Sequence, residues 1–333
     1  MKSLVSSLRG FLARFHPWPV SVTEFLFMRL IVVYVLWEWC PSTTFAGYAE
    51  QPLPTGLARF FDLTWMAEVS KVQAVLWCVR VSIVVYALAG VWQWCLRRRS
   101  AEDRPLDWLS PLSLLVAVFC QILVQTNRNS IGATHHGYLA MSQTVLVVAL
   151  CHLGVLIKGL RGQRRPKDER LSWEAWISYM AIVVLAAAYV IAGVTKLHKE
   201  GLTWIRDAPQ VATHMARTQE ETYYDHLDPA AKGQLEPFIQ WVARHPHLTR
   251  VGLGGALVLE ALAFLALAGR RWALVLGICI EAMHFAIGVS MKLFFPLNQW
   301  LVFAFWINAP GLIRDWWTAR AQSRTGRAGG SPA

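Results

Sequence analysis

Three ionisable residues stand next to or inside long apolar runs of this sequence: His136, Lys196 and His284. An ionisable group is costly in the hydrocarbon of a membrane, so each of them needs a partner or a function. Loss of water lowers the pKa of a lysine, and only its neutral amine can act as a base. We expect the three at a similar depth on one side of a membrane, where a desolvated Lys196 is a candidate base. The alternative is that each is a surface residue at a helix end.

One pair of ionisable residues raises the possibility of a metal site. Glu281 and His284 are three residues apart, so they share one face of a helix. A Glu-x-x-His pair supplies half of a di-iron carboxylate site, which needs a second such pair, and the sequence has none. We therefore expect no metal. The other ionisable residues of the apolar runs are expected to be paired structural charges or anchors near an interface: Glu24, Arg29, Arg80 and Glu260.

The composition shows which elements must position these residues. Hydrophobic residues make up 55% of the 333 and charged residues only 16%, whereas a soluble domain carries about 25% charged residues. A disordered chain, a coiled coil and a small disulfide scaffold are excluded. Six cysteines are present, and no CxxC occurs, so we expect buried thiols. Several apolar stretches of about 20 residues predict an all-α, polytopic membrane bundle.

We predict eight membrane spans, at residues 20–38, 72–95, 108–126, 137–157, 174–195, 251–268, 272–290 and 296–313. With both termini inside, the inner segments hold 19 Lys and Arg in about 70 residues and the outer segments hold 11 in about 103. Basic residues concentrate in cytoplasmic loops, so both termini are expected in the cytoplasm and the protein in the inner cell membrane. The same loops account for the net charge of +11, and we expect no nucleic-acid partner.

The regions between the spans define the domain organisation. Residues 1–315 form one predicted membrane domain, and residues 316–333 are expected to be a disordered cytoplasmic tail. The outer segment 196–250 mixes aromatic and charged residues, which predicts helices lying at the outer surface. Segment 39–71 is also too long to be a simple turn.

Three stretches of the chain resemble the membrane domain of the vitamin K-dependent gamma-carboxylases, within the horizontally transferred transmembrane domain (HTTM) family. THHGYLAMSQTVLVV, from Thr134, resembles the family's His-x-Tyr-Leu at a helix start. YVIAGVTKLHKEGLTWI, from Tyr189, is similar to its Ala-Gly-x-x-Lys-Leu followed by a Trp. The run from Leu259 to Phe303 resembles its late helix pair. The resemblance covers about residues 15–315.

The resemblance implies a specific chemistry. Lys196 would deprotonate a reduced vitamin K-like isoprenoid quinone, to which O2 adds. The resulting base would remove the gamma proton of a peptidyl glutamate, CO2 would be captured, and the quinol would leave as an epoxide. His136 and His284 would handle the proton or orient the quinol. The quinone would be bound, within membrane lipid, by Tyr138, Trp204 and Phe295.

The chain departs from the family in two ways, which keep other functions open. Thr195 stands where a second lysine is common, and segment 196–250 takes the place of a large external domain that binds peptide substrate. The alternative is therefore a non-catalytic membrane factor that assists maturation or export of a peptide or partner protein. A transporter is a third hypothesis. It is not favoured, because Pro111 and Pro296 lie at span ends and no inverted repeat is visible.

Overall fold

A computed structural model describes residues 15–40, 56–96, 106–130, 139–163, 172–226, 236–291 and 293–328 of the protein. These residues are helical almost throughout, and none of them forms a β-strand. The α-helices are α1 (Val22–Trp39), α2 (Val69–Cys95), α3 (Leu109–Ser130), α4 (Leu139–Leu160), α5 (Trp173–Glu200), α6 (Thr203–Arg206), α7 (Val211–His226), α8 (Glu236–Arg244), α9 (Pro246–Ala261), α10 (Arg270–Met291), α11 (Pro296–Val302) and α12 (Ala309–Ala328).

Five of these helices are long and apolar enough to cross a membrane, by length and composition. They are α2, the part of α3 from Leu109 to Thr126, α4, α5, and α10 as far as Ser290. Only 33% to 50% of the residues in their most apolar windows are buried inside the protein, and large apolar side chains such as Trp77, Leu88 and Phe285 point outward. Such outward apolar surface suits a lipid environment. The predicted all-helical, multi-pass membrane architecture is confirmed at this level.

The other three predicted spans correspond to helices that are shorter or carry charge. Helix α1 has 18 residues and includes Glu24, Arg29 and Glu38. Helix α9 has 16 residues and continues as a 3₁₀ segment, Ala263–Ala268, which stops at Gly269 with a positive φ of 147°. The last predicted span, 296–313, consists of α11, a π-helical segment at Phe303–Ile307, and the start of α12. Left-handed Asn308, with a φ of 46°, separates the last two pieces.

Helix α5 lies at the centre of the packing. It contacts α1, α4, α9, the 3₁₀ segment after α9 and the π-helical segment. Helices α2, α3 and α4 pack in sequence order against one another, and α2 also packs on α1. One continuous apolar core runs through this bundle. Any polar residue on the inward face of α5 therefore sits among several helices at once.

Helices α6 to α8, named the outer group after their predicted side of the membrane, follow α5, which ends at Glu200. A second small core joins α7 and α8, and it is made by Ala212, Met215, Ile239 and Val242. This group occupies the segment 196–250 for which surface helices were predicted. At the other end of the chain, α12 continues to Ala328 and so extends into the predicted tail.

A buried carboxylate ties the beginning of α1 to the end of the chain. Glu24 is 1% exposed, and both Arg270 at the start of α10 and Arg314 on α12 pair with it. Asn308 Nδ2 donates to Glu24 Oε2 over 2.8 Å. Glu24 also completes a capping box with Ser21, which fixes the first turn of α1. These contacts place the N-terminal ends of α1 and α10 at the same end of the bundle.

Candidate functional site

One face of α5 carries the residues around which the candidate site is built. Tyr189, Gly193 and Lys196 are spaced at i, i+4 and i+7, so they lie along one side of the helix. Tyr189 and Lys196 are seven positions apart, which is about 10 Å along the helix axis at a rise of about 1.5 Å per residue. This face turns toward α9 and α10, which bring the remaining polar groups.

Lys196 forms an ion pair with Glu260 of α9. Its Nζ lies 2.6 Å from Glu260 Oε1 and 2.7 Å from Oε2, so the ammonium meets both oxygens. The Glu260 side chain is 8% exposed, whereas that of Lys196 is 32% exposed. The Trp204 ring centroid lies 5.3 Å from the amine, within range of a cation–π interaction. The pair is thus buried on the carboxylate side and open on the amine side.

Gly193 allows the two helices to come close enough for this pair. A Cβ atom at position 193 would lie 3.2 Å from Glu260 Cβ and 3.3 Å from the backbone nitrogen of Ala261. Both distances are tighter than ordinary van der Waals contact. A small residue here is therefore a packing requirement, as in close helix crossings of other membrane proteins.

His284 of α10 lies near the Tyr189 end of the same face. The Tyr189 hydroxyl and His284 Nε2 are 2.8 Å apart and hydrogen-bonded. The Phe295 ring lies 5.3 Å from the His284 ring, and Trp306 lies 5.7 Å from the Tyr189 ring. His284 Nδ1 is buried, and among the described residues it has no hydrogen-bond partner. The imidazole is therefore held by a hydrogen bond at Nε2, and its Nδ1 is available for a hydrogen bond to a ligand.

A second carboxylate lies one turn away from His284. Gln299 Nε2 donates to Glu281 Oε2 over 3.1 Å, while buried Glu281 Oε1 has no partner in the described part of the chain. Tyr189 and Lys196 lie on one face of α5, so this face contacts both His284 of α10 and Glu260 of α9. The polar residues of α5, α9 and α10 are therefore arranged along one helix face.

The structure brings four of the six predicted site residues into two neighbouring pairs. Lys196 lies beside Trp204, and His284 lies beside Phe295. The α5 face connects the two pairs through Tyr189. His136 and Tyr138 lie outside the described residues. No group of three His, Cys, Asp or Glu side chains suitable for a metal ion occurs within the described ranges.

The Lys196–Glu260 pair changes the chemistry expected of the lysine. The sequence predicts a desolvated amine without a stated partner. In the structure, the amine donates hydrogen bonds to the buried Glu260 carboxylate. The lysine Nζ donates to both carboxylate oxygens, so Lys196 and Glu260 act together in the site. The open amine side of the pair determines where a ligand can approach.

Two contacts that organise this cluster do not follow from the sequence alone. The sequence marks Glu260 as an intramembrane charge, but nothing in a single sequence shows that it meets a lysine 64 residues away. For Tyr189 the available signal is its i, i+4, i+7 spacing with Gly193 and Lys196, which marks a common helix face.

A separate cleft opens between α1, α2, α4 and α5. It is lined by Arg29, Asp107, His152 and Glu174 together with apolar side chains, and none of the predicted site residues lines it. The candidate site and this cleft are therefore two distinct features of the bundle.

Comparison with known proteins gives no assignment: no family model, no curated protein and no solved structure matches this chain significantly.

Proposed function

We propose that this protein is a membrane enzyme that binds a reduced isoprenoid quinone and initiates its oxygenation to an epoxide. The observation that carries the proposal is the contact of Lys196 with Glu260 at the edge of an apolar bundle. Transfer of the lysine's proton to the Glu260 carboxylate would leave a neutral amine, which could then accept the proton of a phenolic hydroxyl. The resemblance of the α5 sequence to the gamma-carboxylases supports the same chemistry.

The residues present fit a quinol ring. His284 Nδ1 is a buried ring nitrogen without a protein partner in the described ranges, and Phe295 flanks its imidazole. Trp204 offers a second aromatic surface next to the amine. A bound reduced quinone would supply acidic phenolic hydroxyls and the electrons for reaction with O2. The chain itself would accept a proton at Lys196–Glu260 and orient the ring through His284, which Tyr189 holds in place.

Coupling to carboxylation of a peptidyl glutamate with CO2 is the extended form of the proposal. The outer group α6–α8 begins directly after the lysine helix, so a peptide bound there would reach the open side of Lys196. Exclusion of water from such a site protects a reactive base from quenching.

The decisive experiment uses the purified full-length protein in lipid nanodiscs with vitamin K hydroquinone and O2. Quinone epoxide is measured by liquid chromatography and mass spectrometry, and labelled CO2 with a glutamate-containing peptide reports carboxylation. We expect epoxide from the wild type and at least a 100-fold loss in Lys196→Ala, since positioned acid–base groups contribute about 10²–10⁴-fold.

The matched control is Lys199→Ala, because Lys199 is an exposed lysine on the same helix, three residues away. We expect this variant to keep wild-type epoxidation. No epoxide from the wild type, or equal activity in Lys196→Ala, would refute the enzyme proposal. Epoxide without labelled peptide would retain quinol oxygenation and remove the carboxylation step.

One observation favours a second function, a non-catalytic factor that assists a peptide or partner protein. The outer group has its own small core and still exposes Tyr224, Phe238 and Trp241. A photocrosslinker at position 224 should then capture one partner reproducibly from intact cells. The two functions separate clearly, because Lys196→Ala would leave such capture unchanged.

We further propose eight spans in the inner cell membrane with both termini in the cytoplasm. The contacts of Glu24 with Arg270 and Arg314 support this topology, because they gather the starts of α1 and α10 and the α12 segment at one end of the bundle. A green fluorescent protein fused after residue 333 should fluoresce, whereas alkaline phosphatase at the same position should be inactive. The reverse pattern would place the C-terminus outside.

A further inference from the structure

Three buried polar atoms near Tyr189 have no hydrogen-bond partner among the described residues. They are Glu281 Oε1, His284 Nδ1 and Trp306 Nε1. The Tyr189 ring centre lies 5.8 Å from that of His284 and 5.7 Å from that of Trp306. A buried polar atom that lacks a partner costs free energy, so such a group of atoms indicates a bound molecule that supplies the missing hydrogen bonds.

One face of α10 brings these atoms together. Gly277, Glu281 and His284 are spaced at i, i+4 and i+7, so they lie along one side of the helix. A Cβ at Gly277 would lie 3.2 Å from Trp306 Cβ, and His284 is hydrogen-bonded to Tyr189. Glu281 therefore lies between the turn that contacts Trp306 and the turn that contacts Tyr189. Trp306 belongs to the π-helical segment, and short π-helical segments are frequent at functional sites.

The charge of Glu281 is not balanced by a cation from the described ranges. Its Oε2 accepts a hydrogen bond from the Gln299 amide over 3.1 Å, whereas its Oε1 is buried and meets no donor there. Lys196, the cation on the facing side of α5, is paired with Glu260. A carboxylate oxygen only accepts hydrogen bonds, so Glu281 Oε1 requires a donor on the bound molecule.

Tyr189 determines which hydrogen His284 offers beside this oxygen. Within the described part of the chain, the Tyr189 hydroxyl hydrogen-bonds only to His284 Nε2. The hydroxyl therefore donates to Nε2, and the hydrogen of the neutral imidazole is on Nδ1. The site thus presents a donor, His284 Nδ1, and an acceptor, Glu281 Oε1, about one helical turn apart.

A hydroxyl group satisfies both atoms, because its oxygen accepts from Nδ1 while its hydrogen is donated to Oε1. A carbonyl oxygen only accepts, so it would face the Glu281 carboxylate with no hydrogen to share and would leave Oε1 buried and unsatisfied. Hydroquinones and quinones differ in this respect, since the ring oxygens are hydroxyls in the reduced form and carbonyls in the oxidised form.

We propose that Glu281 selects the reduced form of the ring that binds beside His284, an inference that rests on the proposed function. The hydroquinone oxygen accepts from His284 Nδ1 and donates to Glu281 Oε1, and the quinone loses the second of these bonds. A site built to hydrogen-bond a ligand hydroxyl discriminates strongly against an analogue that lacks it. Glu281 is thereby a specificity-determining residue, and its role is distinct from that of Lys196.

Binding of the two redox forms is compared in the absence of O2, so that no oxygenation occurs. The full-length wild-type protein in lipid nanodiscs is equilibrated with vitamin K hydroquinone or vitamin K quinone. Retained ligand is measured by liquid chromatography and mass spectrometry, with empty nanodiscs as the background. We expect the hydroquinone to bind at least about tenfold more tightly, the effect of one charge-assisted hydrogen bond. Equal binding of the two forms, or tighter binding of the quinone, would overturn the proposal.

Glu281→Gln assigns the preference to this residue, because the amide keeps the shape of the side chain and can donate to a carbonyl. We expect the preference for hydroquinone to fall about tenfold. A redox titration of the bound ligand should then show a midpoint potential about 30 mV lower than in the wild type. Glu38→Gln, which neutralises an exposed carboxylate on α1, is the matched control and should keep the wild-type preference. An unchanged preference in Glu281→Gln would overturn the proposal.

These measurements separate the inference from the proposed function. A wild type that prefers hydroquinone and forms no epoxide when O2 is admitted would refute the enzyme and retain the selection by Glu281. Epoxide formation with the same preference in the wild type and Glu281→Gln would retain the enzyme and remove the selection. Absence of binding of either form would refute both. If Glu281→Gln does not fold, the comparison on the wild-type protein still decides whether the site prefers a hydroxyl.

Discussion

The Lys196–Glu260 pair predicts an asymmetry between two substitutions. Breaking a fully buried ion pair by removing one partner costs about 3–5 kcal/mol, mainly because a charge is left buried and unpaired. Lys196→Met leaves Glu260, which is 8% exposed, whereas Glu260→Gln leaves Lys196, which is 32% exposed and can be hydrated. We therefore expect Lys196→Met to cost about 3 kcal/mol and Glu260→Gln about 2 kcal/mol.

The double variant measures the interaction energy between the two side chains, apart from the contacts that each makes with other residues. Lys196→Met with Glu260→Gln leaves no unpaired charge, so its cost should be less than the sum of the single costs by about 2 kcal/mol. The assay is thermal unfolding of the purified protein in one detergent. A change of 1 kcal/mol corresponds to about 2–4 °C in a domain of 150–250 residues, which gives single-variant shifts of several degrees.

Lys199→Met controls for loss of a lysine from α5, and we expect it to shift the midpoint by about 1 °C or less, because its side chain is exposed. Two results would refute the reasoning. Additive single and double effects would show that the two side chains do not interact. A larger cost for Glu260→Gln than for Lys196→Met would show that the lysine, not the carboxylate, is the more deeply buried partner.

Three further substitutions test the elements around the sites, each followed by thermal unfolding. Gly193→Leu should destabilise the protein by about 1–3 kcal/mol, because its side chain would push α9 away from α5. Tyr189→Phe should cost about 1–3 kcal/mol, because His284 Nε2 loses its hydrogen bond inside the protein. Glu24→Gln should cost about 2–3 kcal/mol, because Arg270 and Arg314 lose their buried counter-charge but keep Asp315.

Each of these has a control elsewhere in the chain. Gly154→Ala on α4 meets nothing within 4 Å and should be neutral or stabilising by up to about 1 kcal/mol. Tyr34→Phe removes an exposed hydroxyl and should be silent. Asp315→Asn removes a half-exposed partner of Arg270 and should cost less than about 1 kcal/mol. A variant that behaves like its own control would show that the contact assigned to it contributes nothing.

Hydropathy predicted the helices whose entire length is apolar, such as α2 and α4, to within a few residues. It predicted less where polar contacts interrupt a span. Segment 296–313 reads as one apolar run, yet left-handed Asn308 divides it, and the Asn308 side chain donates to buried Glu24. Pro310 is a local sign of a helix end, but a local pattern carries no information on a partner 284 residues away.

The candidate site shows the same division between local and distant information. Lys196 and Trp204 lie eight residues apart around the end of α5, so their proximity follows from one short turn. Glu260 could be recognised only as a charge that requires a partner. Its pairing with Lys196 depends on how closely α9 crosses α5, and Gly193 permits that distance. The ion pair of Lys196 thus depends on Gly193, one turn away, because Gly193 lets α9 approach α5 closely.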